Sequence, residues 1–169
     1  MKVPYTNFKT RIGDTDEVGG CTFIGGEWKE VDTEELFASK KVVLFSLPGA
    51  FTPTCSQYHL PSIIKEMGNF KKKGIDEIFC LVVNDVYVAS VWSQQTGADE
   101  AGLKVVCDPL GTLVKKLGMS FNAPDVGFLD RSIRFCLILN HEPFLNTILR
   151  NLFLGGSVSY KHLTLPTKS

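Results

Sequence analysis

Three runs of this chain are apolar without alternation: Val42-Val43-Leu44-Phe45, Ile78-Phe79-Cys80-Leu81-Val82-Val83, and Val105-Val106-Cys107 behind Lys104. β-Branched and aromatic residues arranged this way form strands buried on both faces. Helical spacing follows each run. Leu60, Ile63, Ile64 and Met67 fall at i, i+3, i+4 and i+7, the stripe of an amphipathic helix. Pro61 predicts a kink there rather than a stop, because the periodicity resumes beyond it. A second helix is expected from about Asp85 to Gln95, with Asp85 as its cap, and a third near Leu110 to Leu117, capped at Asp108-Pro109. Ile133 to Leu139 reads as a further strand. Strands alternating with helices require an α/β domain, a central mixed sheet flanked by helices.

The ends are less regular. Phe8, Thr10 and Ile12 alternate with Lys9 and Arg11, a short strand. Cys21–Ile24 and Trp28–Val31, separated by Gly25-Gly26, read as a hairpin extension with a glycine turn. Asp32 to Phe37 reads as a short capped helix. Past Leu139, Pro143 at a first helical position followed by Leu145, Ile148, Leu149 and Leu152 predicts a short helix, then a poorly ordered tail from Ser157 to Ser169. The expected division is a domain over 1–139 and an atypical C-terminal segment over 140–169, with nothing in that segment resembling a strand returning to the sheet.

Composition narrows the function. Lys+Arg and Asp+Glu are both 18, a formal net charge of zero, which lacks the basic excess of a nucleic-acid binder. The run Lys71-Lys72-Lys73 before Gly74 suits a helix C-terminus, where cations complement the dipole. No run is apolar for the ~18 residues of a membrane span, and the first residues lack the apolar core of a secretory signal. Five cysteines without a CxxC fit neither a disulfide framework nor a zinc site. Reduced thiols in a cytoplasmic setting are expected.

The stretch with chemistry in it is Phe45-Ser46-Leu47-Pro48-Gly49-Ala50-Phe51-Thr52-Pro53-Thr54-Cys55-Ser56. It joins a buried strand to a helix. Thr52 suits the N-cap and Pro53 the first helical position. Cys55 then falls in the first turn, where unpaired N–H groups and the positive end of the dipole favour a thiolate, the reactive form of cysteine. A buried structural cysteine is the competing reading.

Pro48-x-x-x-Thr52-x-x-Cys55, followed by His59-Leu60-Pro61, resembles the active-site loop of peroxiredoxins, and Val83-Asn84-Asp85 with Cys107-Asp108-Pro109 narrows the resemblance to the peroxiredoxin 5 type. The likeness spans about residues 5–139. It implies a thioredoxin-like fold and reduction of hydrogen peroxide and alkyl hydroperoxides through a sulfenic acid on Cys55, with no cofactor and no metal. It also implies a basic residue near the start of a late strand, where Arg134 matches and Arg131 is the second candidate. In this reading Thr52 both donates to and accepts from the peroxide, Arg134 supplies fixed positive charge, and Pro48 closes the pocket. Gly49, Phe51, Thr54 and His59 are expected to line it, with His59 either a wall, a proton relay or a hydrogen-bonding residue. Trp92 is expected in the core or at a subunit contact.

Recycling turns on the other cysteines. Cys80, Cys107 and Cys136 sit in strand runs, and Cys21, in a glycine-rich stretch, is the one candidate resolving cysteine. No cysteine follows Cys136. A one-cysteine mechanism is therefore expected, with an external thiol such as glutathione with glutaredoxin, or thioredoxin, as reductant. The family resemblance suggests a homodimer with Phe51 as a contact. The competing function is a catalytically impaired relative serving as an interaction or chaperone-like module.

Overall fold

In the computed structural model, which describes residues 3–12, 27–140 and 142–150, the chain begins β1 (Asn7–Ile12), β2 (Glu27–Asp32), α1 (Thr33–Phe37) and β3 (Lys41–Leu47). A π-helical turn, Cys55–His59, runs straight into α2 (Leu60–Lys72). Then come β4 (Glu77–Val82), α3 (Val86–Gln95), α4 (Ala98–Ala101), β5 (Lys104–Cys107) and α5 (Thr112–Lys116). The remainder is β6 (Ser120–Ala123), a 3-10 turn at Pro124–Val126, β7 (Phe128–Ser132), β8 (Phe135–Asn140) and β9 (Glu142–Arg150).

The unalternating runs occupy the centre of a seven-stranded sheet ordered β2-β1-β5-β4-β3-β8-β9. β3, β4 and β5 are parallel, while β1 and β8 join them antiparallel. Because side chains alternate across a strand, each run feeds two cores. Val43, Phe45, Cys80, Val82, Cys136 and Ile138 meet α2, α3 and α4 on one face. Val42, Leu44, Phe79, Leu81, Leu137 and Leu139 meet α1 and α5 on the other. The α2 stripe buries Leu60, Ile63, Met67 and Phe70, with Phe70 edge-on to Phe45 at 5.6 Å between ring centroids. Burying each such side chain stabilises by about 1.5–3 kcal/mol, so the helix that begins beside Cys55 is firmly seated.

Caps form where the sequence placed them. Asp32 accepts from the Glu34 and Glu35 N–H groups, and Asp85 from those of Tyr87 and Val88. Buried Asp108 accepts from Thr112, Leu113 and Val114. Burial raises its pKa, and those three bonds offset part of that rise. The helix continues through Pro61, and the wider ring it needs is the π turn just before it, closed by the Leu60 N–H to the Cys55 carbonyl. The lysine run closes α2, with Gly74 beyond it at φ +76°.

β2 pairs with β1, Phe8 opposite Val31; Cys21–Ile24, the hairpin partner expected for it, lies outside the described residues. The strand expected over 133–139 is β8, which begins two residues later, with Ile133 and Arg134 in the bend that follows β7. The short helix expected after Pro143 is instead β9, returning antiparallel along β8 with Leu137 opposite Ile148. The apolar edge of β8 offers a full row of backbone partners there, and this long-range ladder outweighs a helical spacing of four apolar residues. Pro143 is tolerated because β9 is an edge strand and its pairing is irregular at that end, between Ile138 and Asn140. The tail from Ser157 lies outside the described residues.

Candidate active site

The loop leaving β3 must turn from a buried strand to a helix entrance in five residues, and Phe51 absorbs the turn at φ +58°. Pro53 opens the helical backbone and Ser56 donates the first ladder hydrogen bond, to the Thr52 carbonyl at 3.0 Å. The N–H groups of Thr54 and Cys55 therefore stand at the open helix end, ahead of the ladder. Cys55 begins the π turn with no solvent-exposed area, within the core layer formed by β3, β4 and α2.

Thr52 behaves differently from a side-chain cap. Its Oγ1 donates to the Gly49 carbonyl at 2.8 Å. A hydroxyl has one proton, and here Gly49 engages it, leaving the oxygen's lone pairs for a further bond.

A cavity of about 600 Å³ opens against this helix end, lined by Pro48, Thr52, Pro53, Thr54, Phe121, Val126, Phe128, Ile133 and Arg134. Four of the expected residues, Pro48, Thr52, Thr54 and Arg134, share this one space. Gly49, Phe51, His59 and Cys55 itself are not among its lining residues. Gly49 faces Arg131 and Asn84, Phe51 is 50% exposed outside the cavity, and His59 is buried behind Arg134.

Arg134 is held from behind. Its Nε donates to His59 Nδ1 at 3.1 Å. An imidazole nitrogen that accepts from a guanidinium is unprotonated, which leaves the ring neutral with its proton on Nε2. Burial, and then the Arg134 charge, lower the His59 pKa to about 4. Arg131, the second candidate from sequence, donates to the Val83 carbonyl at 2.7 Å and lies over the Phe128 ring.

The other described cysteines are free and buried. Cys80 and Cys136 are held as thiols by burial, and Cys80 further by its neighbours Cys55 and Cys107. Burial and Asp85 push the Cys107 thiol up to about 12. Trp92 is wholly buried, and its indole N–H donates to Ser56 Oγ at 2.9 Å, pinning the residue after Cys55.

Residues 14–143 match the Redoxin family model. A peroxiredoxin of Synechocystis sp. is 42% identical over 139 residues, covering 82% of this chain and 71% of that protein. The chain belongs to the peroxiredoxins. The hybrid peroxiredoxin hyPrx5 of Haemophilus influenzae is 35% identical over 153 residues, 90% of this chain and 56% of that protein, in keeping with the peroxiredoxin 5 type. The solved structure of reduced Prx3 from Vibrio vulnificus in complex with H2O2 is 32% identical, with a TM-score of 0.73 over 88% of this chain and 84% of that one. This peroxiredoxin therefore has the thioredoxin-like α/β fold and is a thiol peroxidase. Among its described residues no helix is long and apolar enough to cross a membrane.

Sequence reasoning missed one wall of the peroxiredoxin's cavity. Phe121, Val126 and Phe128 come from the β6–β7 hairpin, left unassigned between Leu117 and Ile133. Its signal was the turn Pro124-Asp125-Val126-Gly127, with proline at the entry and Gly127 at φ +74° closing it.

Proposed function

We propose that this peroxiredoxin reduces hydrogen peroxide and alkyl hydroperoxides with Cys55 as the attacking sulfur. The supporting observation is the convergence of Thr52, Pro48 and Arg134 on one cavity at the helix end that carries Cys55. The Vibrio relative crystallised with H2O2 favours the same small substrate.

In the proposed step the Cys55 thiolate attacks the terminal oxygen of the peroxide. A sulfur–oxygen bond forms, the O–O bond breaks, sulfur loses two electrons, and the leaving hydroxide or alkoxide takes up a proton. Thr52 Oγ1 accepts the O–H of the attacked oxygen and so sets its approach. The Thr54 and Cys55 N–H groups at the helix end, together with the Arg134 guanidinium, stabilise the negative charge as it develops. Arg134 suits this task because its charge is permanent and its N–H vectors are fixed, and neutral His59 holds it without competing for that charge.

The sulfenic acid is then resolved in a one-cysteine cycle. An external thiol displaces water to form a mixed disulfide, and a second thiol releases Cys55 and leaves as the disulfide of the reductant. The buried, high-pKa thiols of Cys80, Cys107 and Cys136 favour this route. Glutathione with glutaredoxin, or thioredoxin, is the reductant in this reading, with a cytoplasmic setting and a homodimer touching through half-exposed Phe51. The test is peroxide consumption in the presence of each reductant. Wild type turns over and Cys55→Ser is silent; equal rates for the two would reject the assignment. Retained glutathione-dependent turnover in Cys21→Ser supports the one-cysteine cycle, and complete loss overturns it.

A further inference from the structure

Arg131 lies three residues before Arg134, yet it reaches a different part of the molecule. Its Nη1 donates to the Val83 carbonyl at 2.7 Å, where the chain leaves β4. The next residue, Asn84, accepts the Ala50 N–H on its Oδ1 at 2.9 Å. The neighbouring Gly49 carbonyl accepts the Thr52 hydroxyl. These bonds form a chain from β7, through the end of β4, into the loop and finally to the oxygen that faces the cavity. Gly49 marks how tightly the parts meet. A methyl on it would lie 2.9 Å from Arg131 Nη1 and 3.3 Å from Asn84 Oδ1. Gly49 is outside the left-handed region, so a side chain there would have to displace the guanidinium and crowd the amide.

We propose that Arg131 is a positioning residue for peroxide reduction. It acts with Asn84 by fixing the Gly49–Thr52 loop, so that the Thr52 hydroxyl keeps its proton on Gly49 and its lone pairs toward the substrate. This rests on the assignment of Cys55 and Thr52 above. Released from Val83, the loop loses the surface against which Gly49 sits. The Gly49 carbonyl then drifts, and Thr52 is free to turn its proton toward the peroxide, where it repels the O–H it should accept. Arg131 touches no reacting atom in this scheme.

The test is a double-mutant cycle on the oxidation of Cys55 by hydrogen peroxide, followed by mass spectrometry of quenched samples and expressed per folded molecule by circular dichroism. Arg131→Ala and Gly49→Ala are each expected to slow oxidation about 10- to 100-fold, since displacements of about 1 Å in a reacting geometry cost up to about 10²-fold. The pH profile of the rate should keep its midpoint, because a positioning residue does not set the charge on sulfur. The two substitutions should not compound. With Arg131 gone the Gly49 methyl has room, and the double variant should stay within about twofold of the slower single, the margin of ordinary additivity. Wild-type rates in Arg131→Ala, fully multiplied effects, or a shifted pH midpoint would each overturn the proposal while leaving Cys55 in place. Failure of wild-type Cys55 to oxidise would instead remove the assignment of Cys55 and this proposal with it.

Discussion

The two walls of the cavity are built on different principles. The helix-side wall, Pro48 to Thr54, carries the site's hydroxyls and is held by hydrogen bonds: the Ala50 N–H to Asn84 after β4, the Thr52 hydroxyl to the Gly49 carbonyl and, just beyond the wall, the Trp92 N–H on α3 to Ser56. The hairpin-side wall, Phe121 to Phe128, is apolar. Phe121 and Phe128 stack edge-on at 6.2 Å between centroids, and Val126 is 66% exposed at the tip. Its β6–β7 ladder is a separate two-stranded sheet with a register shift between Phe121 and Ala123. The rigid wall carries the groups that bond-making needs within fractions of an ångström. The looser wall can shape what enters without disturbing them.

Substitutions on the two walls should therefore fail in different ways. Arg134→Ala, from the bonded side, is expected to slow Cys55 oxidation by roughly 10²–10³-fold with every peroxide, the cost of losing one preorganised donor to a developing oxyanion. Rapid-quench rates with hydrogen peroxide and with a bulky alkyl hydroperoxide would show it, and a loss confined to one substrate would contradict the division. Thr52→Val, which keeps shape and removes the acceptor, should slow both substrates by about 10- to 100-fold, in line with about 1–3 kcal/mol for an unmet polar contact. Phe128→Ala is expected to leave hydrogen peroxide within about threefold of wild type and to change the ratio of bulky to small substrate by about tenfold, the scale of an apolar pocket contact. If it slows both substrates equally by a hundredfold, the hairpin belongs to the bonded machinery.

The smallest effect is on pH. Folded His59 takes its proton only near pH 4, whereas an unfolded histidine does so near 6.5. Between those values the unfolded chain binds more protons, so stability should fall as pH drops through that window. A protonated His59 would also present a second cation to Arg134 in place of an acceptor. Urea unfolding at pH 7 and pH 4.5 measures the difference, and His59→Gln, which keeps an acceptor and cannot ionise, should reduce it. An unchanged difference in that variant would assign it to other groups.

This contrast also explains what the sequence disclosed. Pro48, Thr52 and Cys55 lie in one contiguous strand–loop–helix segment whose chemistry is local, so the capping pattern pointed to Thr52 and Cys55, and the motif that carries the family resemblance to Pro48. The partners of that segment are distant. Arg131 stood only as the second candidate for the basic residue, because nothing near it in sequence says that its side chain will cross to the Val83 carbonyl. Phe121 and Phe128 escaped because the hairpin is short, irregular in register and interrupted by a 3-10 turn, leaving no clean period of two. β9 was missed for a related reason. Leu145, Ile148, Leu149 and Leu152 are spaced as on a helix, and only the open edge of β8 makes a strand the better solution. Asp85 and Asp108, by contrast, were legible because a helix cap is decided within a few residues.

The most direct test of the whole account is where oxygen first lands. The reduced protein, treated with one equivalent of hydrogen peroxide and trapped with a sulfenic-acid-specific reagent, should carry a single adduct on the peptide containing Cys55. Adducts on Cys80, Cys107 or Cys136 in place of Cys55, or no adduct while peroxide disappears, would contradict it.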